Sequence, residues 1–343
     1  MLAKDTVETA FRLILGRPPE SDAVCEAHCN FESTEALREA LFASGEFDRF
    51  YRALCVRQER QRTLDKRQQA LGGEEGDYTV AKIHTGQSVL LPANAVETAT
   101  APEAEARLWA RIATSWTGLG REAAHWSVLT HDDFRPGALE DNREDFKRSA
   151  DVDGLLVDAA LQRLPGVRAD ALHCLEIGCG VGRVTRVLAE RFRAVSGADV
   201  SAEHLAIARD DLVAAGHKDV DLIHIQRMED YAALPSHGFF YSRLVLQHNP
   251  PPVQAAILRA VFAALDAQGV ALFQAVTHAM GYHYSVEDDL SDTREPIEMH
   301  PLPQATIFAL MAEAGLDLIE VQEDDAAGLD GFYRSHLFLA QKR

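Results

Sequence analysis

A chain of 343 residues, 47 % of them apolar and 25 % charged, can bury one large core or two of ordinary size. Its formal net charge of −19 repels phosphate backbones, so no nucleic-acid partner is expected. No run of about 18 apolar residues is present, so no membrane span is expected, and the acids within Met1–Glu8 leave no apolar signal core; the expected location is cytoplasmic.

Residues 1–71 read as an all-helical module. Val7, Ala10, Phe11, Ile14 and Leu15 form the stripe of a first helix, which Gly16-Arg-Pro-Pro19 ends. Ala36, Leu37, Ala40 and Leu41 mark a second helix over 34–43, and Phe47, Phe50, Tyr51 and Leu54 open a third that runs to about residue 70. The third turns almost wholly polar, and could pair with a second copy of the chain. Cys25, His28 and Cys29 have metal-like spacing but no second ligand pair, and the five cysteines are an odd, sparse set that suits a reducing compartment; no metal site is expected. The segments LGRPPESD and ALREALFASGEF resemble a small helical module often attached to enzymes that modify surface polysaccharides.

Residues 72–100 read as a linker, opened by a glycine-rich acidic joint at 71–77 and holding strand-like pieces at 78–83 and 88–91. Helical periodicity resumes at Pro102 through Leu108, Trp109, Ile112 and Trp116, and 125–142 reads as irregular. A further helix is expected from Phe146 to Leu164, broken by Pro165-Gly166; together 101–165 form a candidate lid. From 166 to the end the rhythm is α/β. Strands are predicted at 172–177, 194–199, 220–226, 239–243, 269–276, 316–322 and 334–341, with helices at 181–192, 202–215, 250–266 and 303–314. That alternation predicts a doubly wound sheet, and the short link between the last two strands predicts an antiparallel pair.

The first strand runs into Glu176-Ile-Gly178-Cys179-Gly180-Val-Gly182-Arg183. A dinucleotide fingerprint would place its third glycine where Arg183 stands, and no G-K-[ST] follows, so neither a nicotinamide or flavin site nor a P-loop fits. Asp199 ends the second strand, where a carboxylate can accept from both hydroxyls of a ribose. Met228-Glu229-Asp230 follows the third strand, and Tyr241-Ser242-Arg243 through His248-Asn-Pro250 closes the fourth. Ligands in open α/β sheets bind outside these carboxyl edges.

This combination over about 120–343 resembles the class I S-adenosylmethionine (SAM)-dependent methyltransferases. The resemblance implies strand order 3-2-1-4-5-7-6 with the last strand antiparallel. It implies SAM over the first strands: Gly178 and Gly180 at the methionine end, Asp199 on the ribose, and Met228 and Glu229 near adenine. Glu176, Cys179, Val200 and Ser242 complete the expected cofactor contacts, Cys179 as a packed small residue and not a nucleophile. The family's usual aspartate at the start of the fourth strand is replaced by Gly238-Phe239-Phe240.

Methyl transfer to oxygen needs a group that removes the acceptor's proton, near the carboxyl edge of the sheet. His248, His300, His283 and Tyr282 are the candidates, with Trp126, His125 and Arg243 expected to contact the acceptor. The richness in His, Tyr and Asp points to a hydroxylated small molecule or glycan-related acceptor, with O-methylation of a sugar hydroxyl as the leading expectation. An N-methyltransferase with an aromatic acceptor cage, a metal-assisted sugar methyltransferase and a non-catalytic SAM-binding scaffold are the alternatives.

Overall fold

The computed structural model describes residues 2–15, 19, 21–42, 44, 94–291, 297–324, 326 and 333–343. The chain divides into two compact units, Met1–Ile83 and His84–Arg343. The predicted third helix, the acidic joint and both strand-like pieces of the linker lie outside the described residues.

In the first unit, α1 (Lys4–Leu15), α2 (Asp22–Cys29) and α3 (Thr34–Phe42) close around Val7, Phe11, Cys25, Leu37 and Leu41. Helix α2 was not expected, because eight residues with few large apolar side chains carry little periodicity. Ser21 starts it, its hydroxyl accepting from the Val24 amide at 3.3 Å. His28 donates through Nδ1 to the Val24 carbonyl at 2.8 Å and packs between Phe11 and Phe31.

The second unit begins with β1 (Ala95–Val96) and a 27-residue helix α4 (Pro102–Val128), longer than its stripe predicted. Proline at its first turn and Glu103 and Glu105 behind it suit a helix start. The backbone leaves helical geometry at Ala123 (φ −157°, ψ 58°) and resumes for one more turn, so His125–Val128 is helical where an irregular stretch was expected. The expected helix 146–164 is two helices, α5 (Leu139–Arg148) and α6 (Asp151–Gln162). At the break the Ser149 hydroxyl donates to the Phe146 carbonyl at 2.5 Å, a local bond that competes with the helical ladder.

Then follow β2 (His173–Ile177), α7 (Arg183–Ala189), β3 (Ala194–Asp199), α8 (Ala202–Ala214), β4 (Asp221–His224) and β5 (His237–Ser242). The chain continues through α9 (Pro251–Ala264), β6 (Leu265–Ala279), β7 (His283–Tyr284), α10 (Val286–Ser291), α11 (Gln304–Glu313), β8 (Leu316–Asp324) and β9 (Tyr333–Lys342). Seven of the strands form one sheet in the order β4-β3-β2-β5-β6-β9-β8, with β9 antiparallel to both neighbours. This is the doubly wound order that the resemblance implies. β1 and β7 form a separate parallel pair.

Both faces of the sheet are covered, which is why its central strands are apolar throughout. One face packs Leu175, Ile177, Phe240, Phe273 and Phe338 beneath α4, α9 and α11. The other packs Cys174, Phe239, Tyr241 and Leu272 beneath α6 and α7. At Gly238 a Cβ would lie 2.7 Å from Leu172 Cδ2, the end of a flexible side chain. In the described residues no helix is long and apolar enough to cross a membrane.

Candidate active site

The turn after β2 is tied to the end of β3. The amides of Gly178 and Cys179 both donate to the Ala198 carbonyl, at 2.8 and 3.2 Å, and the Gly180 amide donates to Asp199 Oδ2 at 2.8 Å. The Ser201 amide takes Asp199 Oδ1 at 2.9 Å. The carboxylate is thus fixed by two backbone donors, with lone pairs left on both oxygens. Gly178 and Gly180 sit in the left-handed region, φ 76° and 52°. A Cβ on Gly178 would lie 2.3 Å from Val245 Cγ2, and one on Gly180 2.7 Å from Val128 Cγ2, so glycine is required on both counts.

A cavity opens beside this turn, at the carboxyl ends of β2, β3 and β5. Ile112, Trp116, Val200 and Tyr231 give it apolar and aromatic surface around Asp199. Its other lining residues include Glu176, Arg183, Arg243 and Asn249. Glu176 is 4 % exposed, and the Thr185 hydroxyl donates to its Oε2 at 2.6 Å. Burial outweighs that bond and pushes its pKa up to about 7. Burial also pushes the Cys179 thiol well up, so it remains protonated and serves packing.

Behind Glu176 lies a buried charge group. Asp153 of α6, wholly buried, accepts from the Tyr241 hydroxyl at 2.7 Å and from Arg243 Nη1 at 3.3 Å on one oxygen. Its other oxygen takes Arg183 Nη1 at 3.2 Å. Beside Asp153, the Tyr241 phenol is held well above its ordinary pKa, first by burial and then by the carboxylate.

A second polar group centres on Glu298. His248 Nδ1 lies 2.8 Å from the Glu298 carbonyl, and a carbonyl can only accept, so Nδ1 carries the proton. Burial pushes the His248 pKa down to about 4, so the ring is neutral at pH 7 and Nε2 keeps its lone pair. The Glu298 carboxylate lies 3.1 Å from His300 Nε2, and the Tyr282 hydroxyl lies 2.6 Å from His300 Nδ1. The carboxylate and the tyrosine hydroxyl thus meet opposite ring nitrogens of His300. The His300 amide donates to the Gln247 carbonyl at 2.7 Å, and Gln254 Nε2 donates to the His300 carbonyl at 2.9 Å. The 298–300 segment is thereby pinned to the loop that carries His248. His248 packs edge-on to Trp116, centroids 5.4 Å apart, and it is Trp116 that lines the cavity; His248, His300 and Tyr282 stand outside its lining.

Of the residues predicted to meet the cofactor, Glu176, Gly178, Cys179, Gly180, Asp199 and Val200 line the cavity. Met228, Glu229 and Ser242 do not; Met228 packs on the core, and the Ser242 hydroxyl donates to the Ile177 carbonyl at 3.0 Å as a cross-strand tie. Arg243 lines the cavity, whereas His125 packs on Phe146 and Trp126 stacks under the Arg135 guanidinium at 4.5 Å, both away from it. His283 is exposed on β7, paired with Ala95. His300 and Tyr282 come together with His248 through Glu298. Trp116 and Tyr231, which line the cavity, and Asp153 behind it were not among the expected site residues. Asp153 carried a signal: it shares a helical face with Val157 and Ala160, and an acid on a buried apolar stripe needs a partner.

Residues 174–269 match the family model described as a methyltransferase domain. The enzyme class is SAM-dependent methyl transfer, with SAM as the cofactor. Among solved structures, the chain is similar to the magnesium protoporphyrin IX methyltransferase of Synechocystis. That match has 17 % identity and a TM-score of 0.48, over 68 % of this chain and 100 % of the other. It is similar also to a SAM-dependent methyltransferase from Clostridium acetobutylicum, with 14 % identity and a TM-score of 0.42 over 55 % of this chain and 89 % of the other. No curated protein matches in sequence. The cavity's chemistry fits SAM: a carboxylate with spare lone pairs for a diol, aromatic and branched surface for a ring, and a glycine turn between them.

Proposed function

We propose that the protein transfers the methyl group of SAM to a hydroxyl of a polar acceptor, a sugar or glycan-related molecule. The observation that carries this reading is His248, whose tautomer is fixed by the Glu298 carbonyl and whose ring packs edge-on to Trp116, a residue of the cavity lining. When bound, SAM supplies an electrophilic methyl on a sulfonium that is its own leaving group. The chain's own work is then positioning, exclusion of water and removal of the acceptor's proton. Asp199 would hold the ribose hydroxyls and Tyr231, Ile112 and Val200 the ring faces. The glycine turn would lie along the thioether. His248 would take the proton at Nε2, and the Glu298–His300–Tyr282 chain would hold the 298–300 segment in register with it.

The likeness of residues 1–71 to modules on polysaccharide-modifying enzymes supports a carbohydrate acceptor, and the same helices are the proposed contact for self-association. The test is incubation with methyl-labelled SAM and separate panels of oligosaccharides and amines, read by mass spectrometry. Label on oligosaccharide oxygen that falls in His248→Ala is the expected result. Label confined to amines, or full transfer to sugar by His248→Ala, sinks the reading.

A further inference from the structure

Arg183 and Arg243 are the two guanidinium groups of the cavity lining, and they reach it from different elements. Arg183 opens α7, whereas Arg243 follows β5. Their side chains are 6 % and 17 % exposed. Between them stands one acid, Asp153, and it takes a single nitrogen from each. A guanidinium has five N–H donors. Among the described residues, the one other hydrogen-bond partner of the pair besides Asp153 is the Ser149 hydroxyl, 3.3 Å from Arg183 Nη1. The Nε of each arginine is buried with no partner. Two positive charges thus share one negative one at one end of a cavity, with most of their donors unused. Glu176, the adjacent acid, is pushed toward its neutral form. Asp199, the other acid of the lining, has one backbone amide on each oxygen, from Gly180 and Ser201, and no hydrogen bond to either arginine among the described residues.

A buried excess of guanidinium is unfavourable unless an anion completes it, and a planar carboxylate is its natural complement. Within the SAM reading, one carboxylate belongs to the cofactor itself, on the amino-acid tail at the end opposite the adenosine. We propose that Arg183 and Arg243, held together by Asp153, form the subsite for that α-carboxylate. Asp153 acts as a positioning residue: it touches no ligand, yet it sets both guanidinium groups from helix α6, which lies outside the 174–269 domain. The inference rests on the assignment of SAM to this cavity.

The test compares S-adenosylhomocysteine with its decarboxylated analogue, S-adenosyl-3-thiopropylamine, by calorimetry on the full chain. Wild type should prefer S-adenosylhomocysteine. Arg243→Gln should reduce that preference about tenfold while the analogue binds as before. Arg243→Lys, which keeps the charge and loses the fork, should fall between the two and covers the case in which the glutamine variant does not fold. Asp153→Asn should also reduce the preference, a change that mere loss of stability would not produce. An unaltered preference in both Arg243 variants, or an equal weakening of both ligands, overturns the subsite while leaving the SAM assignment intact. Failure of wild type to bind either ligand overturns the SAM assignment itself.

Discussion

The two halves of the candidate active site are built in opposite ways. At the β2–β3 edge, the polar frame of the cavity lies within a few residues of a strand end: the glycine turn, Asp199 and its two backbone donors. At the β5 edge, the working group is gathered from three distant segments, and Glu298 stands 50 positions from the histidine it orients. The first half is rigid because the main chain makes it. The second depends on side chains that hold one another, so a single substitution should unpick it.

The largest effect is expected at that second half. His248→Ala should lower turnover about a thousandfold, within the range for loss of a general base, and leave S-adenosylhomocysteine affinity unchanged by calorimetry. If cofactor affinity fell as much as turnover, the two halves would not be separable. Glu176→Gln comes next, read as stability against pH. Near pH 4.5 and below, the buried carboxyl is protonated in both states; as pH rises to about 7 only the unfolded chain ionises, so wild type loses stability across that window. The loss should approach about 3 kcal/mol and be absent from the glutamine variant in thermal melts. Parallel curves for the two proteins would contradict the shift.

Gly178→Ala probes the main-chain half. Forcing a Cβ into the left-handed region costs about 1–2 kcal/mol before any displacement of Val245. Affinity for S-adenosylhomocysteine should fall about thirtyfold, and an undiminished affinity would show that the turn does not touch the cofactor. The smallest effect belongs to Arg121→Ala, which removes a pair with Glu203 whose arginine is 68 % exposed. Urea unfolding should register less than about 1 kcal/mol; a larger change would mean that the tie between α4 and α8 is more than a surface contact.

This difference in construction also governs what the sequence discloses. Asp199 is legible because its distance from the glycine turn is one strand–helix–strand unit, and the strand order follows from the same rhythm. The outer contacts are not. Met228 and Glu229 stand where the family places its adenine contacts, yet the cavity wall there is Tyr231, two positions further along a short turn. Trp126 and His125 looked available because their stretch read as irregular, but a resumed turn of α4 sets them against Arg135 and Phe146. Glu298 and His300 are two residues apart, and only the fold shows that one oxygen of Glu298 serves His248 and another His300. Periodicity reports which face of an element is buried; it carries no information about which loops meet.

Asp153 also couples two parts of the chain. It stands on α6, while both arginines it pairs belong to the sheet domain. Exchanging the helical segment for that of another enzyme would strand two cations in the interior. Exchanging the sheet domain alone would strand an aspartate. The helices before β2 and the domain after it are therefore coupled by buried charge, and replacing either alone would leave part of that charge unpaired.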